Sequence, residues 1–391
     1  MGVGSTESSK ISRRIRLGMV GGGQGAFIGA VHRTAARLDD RYELVAAALS
    51  SDSQRALNSA RELLIPRAYA SYAEMAAEEA KREDGIDAVA IVTPNHVHHA
   101  VATAFLKAGI HVICDKPMTT TLADAEDLAK TVGQTGLIFG LTHTYAGYPM
   151  VRQMREMVLA GELGPIRMIQ VEYAQDWLST PLEQTGMKQA DWRTDPARSG
   201  PAGCLGDIGT HAYHLACFTT GLSCEQVAAD LTTFVPGRRL DDNVQVMMRF
   251  AGGAKGSLWA SQIAPGNENH LVLRLFGEKA GLTWEQENPN YLTFSPLSEQ
   301  PRTITRGGPG VGTAAGHATR IPSGHPEGYY EAFAQLYTDI AEQITARIEK
   351  RNPNPLALTV PGVNDGVDGI RFIDAVLRSA QNSSTWTKIA H

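Results

Sequence analysis

Residues 16–29 read Arg-Leu-Gly-Met-Val-Gly-Gly-Gly-Gln-Gly-Ala-Phe-Ile-Gly, and this stretch decides the fold. A short apolar run ends in glycines, and the segment that follows them predicts a helix over residues 26–38. Glycines in such a turn let backbone N–H groups approach a pyrophosphate, and the helix N-terminus adds a positive dipole. The pattern therefore predicts a dinucleotide-binding turn, with Gly21 and Gly23 in its first two glycine positions. The third position falls on Gly29 only if residues 25–27 are an insertion.

Strand-like and helix-like segments alternate from this turn to about Leu141. Such alternation across short loops predicts a Rossmann domain, a doubly wound parallel sheet with helices on both faces. Further on, strand-like runs follow one another, which predicts a C-terminal α+β domain with a large, mainly antiparallel open sheet. Residues 285–325 are rich in Gly and Pro and are expected to be mostly loop. The fold class is thus α/β. Its predicted parts are a flexible arm (1–14), the NAD(P)-binding domain (15–145), a second domain (146–362) and a C-terminal helix and tail (363–391).

The composition of the 391-residue chain excludes several classes of protein. Lys and Arg total 36 against 41 Asp and Glu, so the net charge is -5 and no basic footprint supports a nucleic-acid partner. No apolar run approaches the ~20 residues that cross a membrane, so a cytoplasmic protein without a membrane partner is expected. The four cysteines lack a C-x-x-C pair and are expected to be reduced thiols in or near the core.

The adenosine end of the cofactor site is predicted where the second strand ends, at Ser50, Ser51 and Asp52. A serine there hydrogen-bonds either a ribose hydroxyl or a 2′-phosphate. Arg55 would serve the phosphate, whereas Asp52 would replace the missing ribose-binding acid, so NAD and NADP both stay open. The residues predicted to contact the cofactor are Gly21, Gly23, Gln24, Phe27, Ile28, Ser50, Ser51, Arg55, Thr93, Pro94, Asn95, His98, Asp115 and Lys116.

Two of the candidate catalytic segments follow the fourth and fifth strands, at Thr93 to His98 and at Asp115-Lys116-Pro117. Carboxyl ends of parallel strands are where open α/β sheets bind ligands. A lysine directly after a buried strand is expected to have a lowered pKa and to take part in proton transfer. The alternative for Lys116 is an ion pair with Asp115.

The third segment holds Asp207 and His211, which are four residues apart and share one face of a helix. A carboxylate beside an imidazole fixes its tautomer and raises its basicity, which suits a general base. The alternative is a capping aspartate and a core histidine. His214 adds a rival metal-binding face, but no fourth ligand with recognisable spacing is visible, so no metal is predicted.

Further candidate residues for a substrate pocket rest on their position alone. They follow the sixth strand, end the first strand of the second domain or precede Asp207. For each of them the alternative is ordinary packing or a surface loop. The predicted catalytic residues are Lys116, Asp207 and His211, and the predicted substrate-binding residues are Tyr145, Asp176, Trp192, Arg193, Asp207, His211 and His214. Residues 325–329 end the glycine-rich loop and are a candidate lid.

Taken together, these motifs resemble the Gfo/Idh/MocA oxidoreductases, named for glucose-fructose oxidoreductase and inositol dehydrogenase. The resemblance rests on the glycine turn, Thr93-Pro94-Asn95 with His98, Asp115-Lys116-Pro117, Asp207-x-x-x-His211 and a final helix near residues 365–379. It implies a tightly bound or exchanging NAD or NADP, a carbohydrate, cyclitol or glycoside substrate, and a homodimer or homotetramer formed through the C-terminal sheet. It also implies that Lys116 lies beside the nicotinamide, that Asp207 binds substrate and that His211 accepts the proton.

Two departures from the family pattern stand out: Asp115 replaces a usual glutamate, and His214 replaces a frequent aspartate. The leading interpretation is an NAD(P)-dependent sugar or cyclitol dehydrogenase. One alternative is a glycosidase that holds NAD tightly, oxidises C3 of the sugar transiently and eliminates the aglycone. The other is a non-catalytic regulator that senses the cofactor.

Overall fold

The N-terminal part of the chain folds around a six-stranded parallel sheet. The computed structural model describes residues 13–390, so most of the predicted arm at 1–14 lies outside the described residues. The strand order is β3-β2-β1-β4-β5-β6. The strands are β1 Ile15–Gly21, β2 Tyr42–Ala48, β3 Arg67–Ala68, β4 Ala88–Val92, β5 His111–Cys114 and β6 Phe139–Leu141. The helices between them are α1 Phe27–Leu38, α2 Ser53–Glu62, α3 Tyr72–Glu79, α4 His98–Lys107 and α5 Leu122–Thr135.

This sheet confirms the predicted Rossmann architecture. All five residues of β4 are buried, as expected for a strand covered by helices on both faces. Side chains cap three of the helices: Asp52 accepts from Arg55 N, Ser71 from Glu74 N and Thr121 from Asp124 N. Strand order reverses between β1 and β4, so the loops that leave these two strands diverge and open a crevice between them.

The second sheet has nine strands in the order β14-β13-β12-β11-β7-β10-β9-β8-β15. Among the strands described within residues 13–390, only β7 and β10 of this sheet pair in parallel, so the predicted mainly antiparallel sheet is confirmed. Its strands are β7 Ile166–Ala174, β8 Cys224–Thr232, β9 Asn243–Phe250, β10 Lys255–Ser261, β11 His270–Gly277, β12 Ala280–Glu285, β13 Tyr291–Pro296, β14 Arg302–Thr305 and β15 Thr387–Lys388.

Helices and one π-helical turn complete the second half of the chain. The helices are α6 Pro149–Leu159, α7 Lys188–Arg193, α8 Pro196–Ser199, α9 Thr210–Thr220, α10 Thr313–Ala318, α11 Tyr329–Ile348 and α12 Val363–Gln381. The π-helical turn Leu205–Gly209 leads directly into α9. The prediction of loop over 285–325 was wrong in part, because β13, β14 and α10 lie there. In β13, Leu292 and Phe294 alternate with exposed residues, a short pattern that the surrounding glycines and prolines obscure.

Helix α11 packs against the first domain. It lies within the range 146–362, yet it covers α1 and the first sheet, where Phe333 and Tyr337 contact the His32 ring. Ile340 fits against Gly140 of β6, where a Cβ would stand 2.2 Å from its Cδ1 atom. Helix α12 packs between α5 of the first domain and β8 of the second. The two sheets are therefore joined through these helices, while the division itself stays a prediction.

No disulfide joins the four cysteines within the part of the chain that the structure describes. Cys114, Cys204 and Cys224 are buried, as the sequence predicted for thiols in the core, and Cys217 is half-buried. None of the helices within residues 13–390 combines the length and the apolar character that a membrane-crossing segment needs.

Candidate active site

A groove of about 550 Å³ runs along the carboxyl ends of β1, β2 and β4. Its wall includes Gly21, Gly22, Gly23, Gln24, Ile28, Ser50, Ser51, Arg55, Thr93, Pro94, Lys188, Gln189 and Trp192. The glycine turn opens it: Gly21 has a φ of 77°, and a Cβ there would stand 2.4 Å from the Val92 carbonyl oxygen. A Cβ on Gly29 would stand 2.2 Å from the Gly22 carbonyl oxygen. Gly29 therefore brings α1 against the turn, as the third glycine of a dinucleotide pattern does.

The start of α1 fits a pyrophosphate. Its N-cap residue is Ala26, and among residues 13–390 no side chain caps the first N–H groups of the helix. These uncapped donors and the helix dipole form an anion site at the groove. The residues present therefore fit a dinucleotide.

At the far end of the groove, the Asp52 carboxylate accepts from Arg55 N at 2.7 Å. Asp52 is thus used as a helix cap, while the Ser50 hydroxyl accepts from Asp52 N at 3.1 Å. Ser51 and the side chain of Arg55 line the groove. The carboxylate that would have replaced the ribose-binding acid is accordingly turned toward α2.

Five predicted cofactor residues lie outside the groove wall: Phe27, Asn95, His98, Asp115 and Lys116. Phe27 is 66% exposed. Asn95 is buried and donates to the Ser199 carbonyl oxygen at 3.0 Å, and both ring nitrogens of His98 contact backbone carbonyl oxygens. Asp115 accepts from the backbone N–H of Lys116 and from the Thr142 hydroxyl, each at 2.9 Å. The side chains of Asn95, His98 and Asp115 therefore support the loops around the groove.

The Lys116 ammonium pairs with Asp207 rather than with Asp115. Its Nζ atom lies 3.1 Å from Asp207 Oδ1 and also donates to the Asp207 backbone carbonyl. The two residues are 91 positions apart in the chain, so the pair joins the first domain to the second. Within residues 13–390 the alternative ion pair with Asp115 is not found, and Asp115 Oδ1 accepts from the backbone N–H of Lys116 instead.

Asp207 is the residue on which the polar groups of the site converge. Its Oδ2 atom accepts from Gln262 Nε2 at 2.8 Å and from Arg193 Nε at 3.2 Å. Burial acts to raise the pKa of Asp207, but Lys116 and Arg193 outweigh it and hold that pKa below its ordinary value. Asp207 is therefore a carboxylate with two cationic partners.

The expected pairing of Asp207 with His211 is not found within residues 13–390. Lys116, Arg193 and Gln262 take up the carboxylate instead. The spacing argument assumed an α-helix, whereas Asp207 lies in the π-helical turn Leu205–Gly209, where residues four apart no longer stack as in an α-helix.

The His211 imidazole is buried at the edge of this carboxylate cluster. Its ring meets the Tyr145 ring edge-on at 4.9 Å and the His143 ring at 5.5 Å. Burial and the Lys116 charge lower its pKa well below 6.5, although Asp207 opposes them. The ring is therefore a neutral imidazole that is able to accept a proton.

His143, which the sequence analysis missed, belongs to the same cluster. Its ring stacks on that of His214 at 4.1 Å, and His214 Nε2 lies 3.5 Å from Asp365 Oδ1. His143 follows β6 just as Thr93 and Lys116 follow β4 and β5, and that position was the available signal. Within residues 13–390, no three His, Cys, Asp or Glu side chains form a group that could hold a metal ion.

The other predicted substrate residues are placed unequally. The Tyr145 hydroxyl bonds that of Tyr173, which donates to Asn269 Oδ1 at 2.8 Å, so Tyr145 presents its ring to His211. Arg193 bridges Asp207 and Gln189, and its guanidinium lies 4.3 Å from the centre of the Trp192 ring. The Asp176 carboxylate accepts a bond from Gly266 N at 3.3 Å, and in the described chain it makes no hydrogen bond to the Asp207 cluster.

Family models match both halves of the chain. A model for the NAD-binding Rossmann fold of the oxidoreductase family matches residues 15–143, and a GFO/IDH/MocA C-terminal domain model matches residues 151–283. The chain belongs to the Gfo/Idh/MocA oxidoreductase family. The sequence-based resemblance is thereby confirmed, and with it an oxidoreductase with an NAD-binding Rossmann domain.

Several solved structures are similar to this chain along their whole length. An oxidoreductase from Sinorhizobium meliloti is 52% identical, with a TM-score of 0.87 over 96% of this chain and 100% of that one. An inositol dehydrogenase homologue from Azotobacter vinelandii, complexed with NAD⁺, is 34% identical with a TM-score of 0.92, over 97% and 99%. The same homologue was also solved with NADH and myo-inositol. Levoglucosan dehydrogenase in complex with NADH and levoglucosan is 25% identical with a TM-score of 0.83, over 97% and 100%.

Proposed function

We propose that this protein is an NAD(P)-dependent dehydrogenase that transfers hydride between a ring hydroxyl carbon of a sugar or cyclitol and the nicotinamide. One observation carries the proposal: the Lys116–Asp207 pair and the neutral His211 stand together where the dinucleotide domain meets the second sheet. A non-catalytic regulator has no need of a buried lysine, carboxylate and imidazole in this arrangement.

The bound nicotinamide supplies the hydride acceptor. Lys116 donates a hydrogen bond to the substrate oxygen and stabilises the negative charge that develops as its proton leaves. His211 takes that proton at Nε2, since its Nδ1 atom is buried. Asp207 binds the substrate, holds the Lys116 ammonium in place and stabilises the imidazolium that forms.

A polyhydroxylated ring suits the chemistry of the lining. Donors and acceptors face one another across a short distance: Lys116, Arg193 and Gln262 donate, and Asp207 accepts. Neighbouring hydroxyls both donate and accept, so they can exchange bonds with such a set. The inositol dehydrogenase homologue and levoglucosan dehydrogenase bind ligands of this class. We propose the same class here, with His143, His214, Tyr145 and Trp192 as the less polar wall.

The cofactor is proposed to be NAD. The Azotobacter vinelandii homologue, which is 34% identical, binds NAD⁺. Ser50, Ser51 and Arg55 in the groove leave NADP as the competing outcome, since none of them repels a 2′-phosphate.

The test begins with the purified protein, whose copurified nucleotide is released by denaturation and identified by mass. The protein is then offered inositols, anhydrosugars, sugar acids and nitrophenyl glycosides, with NADH and nitrophenol absorbance followed together. Growth of NADH with a free polyol supports the dehydrogenase. Aglycone release without net NADH would instead establish the redox-neutral glycosidase, and inertness toward every compound would favour the regulator.

A further inference from the structure

His98, the first residue of α4, contacts two loops of the candidate site at once. Its Nδ1 atom lies 2.9 Å from the Pro117 carbonyl oxygen, and its Nε2 atom lies 2.9 Å from the Thr93 carbonyl oxygen. The ring is fully buried, so water does not compete for either contact. Its predicted role as a direct cofactor ligand has no support in this geometry, because both polar atoms face backbone.

These carbonyls belong to two chain segments that separate at the site. Strands β4 and β5 pair as far as Ile91 and Cys114, and the bond from Asp115 N to Ile91 O adds the last rung. Beyond it, Thr93 enters the groove wall, whereas Pro117 follows Lys116. The His98 ring spans the gap where the ladder has ended.

The number of N–H groups on the ring decides how many of the two contacts are hydrogen bonds. A neutral imidazole has one N–H group and one lone pair, and both carbonyl oxygens are acceptors. One contact is therefore a hydrogen bond in the neutral ring, and both are hydrogen bonds only in the imidazolium. Burial lowers the pKa of His98, against the Asp115 carboxylate and the two backbone bonds, and His96 and His32 are the imidazoles that face it.

We propose that His98 is a positioning residue that holds the Lys116 loop at a fixed distance from the dinucleotide groove. With the ring proton on Nδ1, His98 donates to the Pro117 carbonyl, so the preceding Lys116 keeps its ammonium on Asp207. The catalytic consequence rests on the proposed function, whereas the effect on the Lys116–Asp207 pair does not.

The first arm of the test reads Lys116 directly, without substrate. His98→Phe removes both contacts and retains a flat ring, and the matched control is His99→Phe, which alters the neighbouring histidine that contacts Asp127. Lys116 is acetylated with a limiting reagent and quantified by mass spectrometry against the other lysines. We expect Lys116 to be acetylated about fivefold faster in His98→Phe than in the wild type, which is the change that one lost hydrogen bond produces. In His99→Phe we expect the rate of the wild type. Equal rates in both variants would overturn the proposal.

The second arm uses the substrate that the panel identifies. His98→Phe is expected to lower kcat about 10- to 100-fold through misplacement of Lys116, while the Kd of the cofactor stays near that of the wild type. His98→Gln, whose amide donates to one carbonyl, should recover part of kcat, and it carries the test if the phenylalanine variant does not fold. A raised cofactor Kd with unchanged kcat would make His98 a cofactor ligand and overturn the proposal. If the wild type turns over nothing, the proposed function fails and the acetylation rates alone judge His98.

Discussion

At the scale of single residues, the charge state of His211 sets how activity depends on pH. Burial and Lys116 depress the pKa of its imidazole well below 6.5, against Asp207. A base must be unprotonated to act, so lowering its pKa moves the loss of activity to lower pH. We expect the acid limb of kcat/KM to fall below pH 6.5. A profile that loses activity between pH 8 and pH 7, roughly one unit above the ordinary histidine value, would contradict this assignment.

The Ser51 side chain decides a second prediction at this scale. It lines the groove beside Arg55, and the Asp52 carboxylate is occupied in capping α2. Ser51→Asp would place a new carboxylate at the ribose, where it accepts from ribose hydroxyls and repels a 2′-phosphate. The ratio of kcat/KM for NAD to that for NADP is expected to rise, with Gln54→Asp on the exposed face of α2 as the control. An unchanged ratio would mean that Ser51 does not reach the ribose.

At the scale of elements, the loop before α11 is clamped rather than free, which argues against the predicted lid at residues 325–329. Glu327 Oε1 accepts from Arg306 Nη1 at 2.8 Å, Arg320 N at 2.7 Å and Ile321 N at 2.9 Å. The side chains of Arg306 and Glu327 are each 2% exposed. A buried pair that loses one partner leaves the other charge uncompensated in a dry site.

Glu327→Gln is therefore expected to lower the free energy of unfolding by roughly 3 kcal/mol, the lower end for a broken buried pair. Urea unfolding measures it, and Glu299→Gln at an exposed turn serves as the control. A loss equal to that of the control would show that the Arg306–Glu327 pair does not hold the loop.

Elements with strong local signals were predicted well from the sequence. The helix predicted over residues 26–38 is observed as α1 Phe27–Leu38, and the predicted alternation to about Leu141 ends with β6, because propensity and periodicity agree there. The edge strands β14 and β15 are two to four residues long and are formed by pairing with a neighbour that no local pattern specifies. The π-helical turn at Asp207 was not predicted, because the argument from a spacing of four residues assumes α-helical geometry.

The sequence predicted which residues belong to the candidate site, but it did not predict which of them contact one another. Lys116, Asp207 and His211 were singled out by chemistry, yet the partner of Asp207 was expected to be its neighbour in sequence. Lys116 and Gln262 reach it from 91 and 55 residues away. Such contacts depend on how the two sheets meet, which composition and spacing do not encode.

At the scale of the whole molecule, the outer face of the nine-stranded sheet is proposed as the contact between copies of the chain. Met168 of β7, Met247 of β9 and Phe276 of β11 lie on this face and are 48%, 55% and 40% exposed. The helices α9 and α12 cover the opposite side. An exposed apolar surface on a broad sheet is typical of an interface.

We expect light scattering to show a dimer or tetramer for the wild type. Met247→Asp should shift the population toward monomer, because it buries a charge in the interface. Leu64→Asp, at a residue that is 88% exposed in the first domain, is the control. An unaltered oligomer in Met247→Asp would place the interface elsewhere.

The central claim is that a ring carbon gives its hydride to the nicotinamide while Lys116 and His211 handle the proton. In the most direct measurement, the NAD-loaded protein is mixed with polyols deuterated at carbon, and the mass of the released nucleotide is measured. The wild type is compared with Lys116→Ala and His211→Ala. The account predicts deuterium in the nucleotide of the wild type, and transfer at least ~100-fold slower in each variant with the cofactor still bound. A nucleotide free of deuterium, or variants as fast as the wild type, would contradict it.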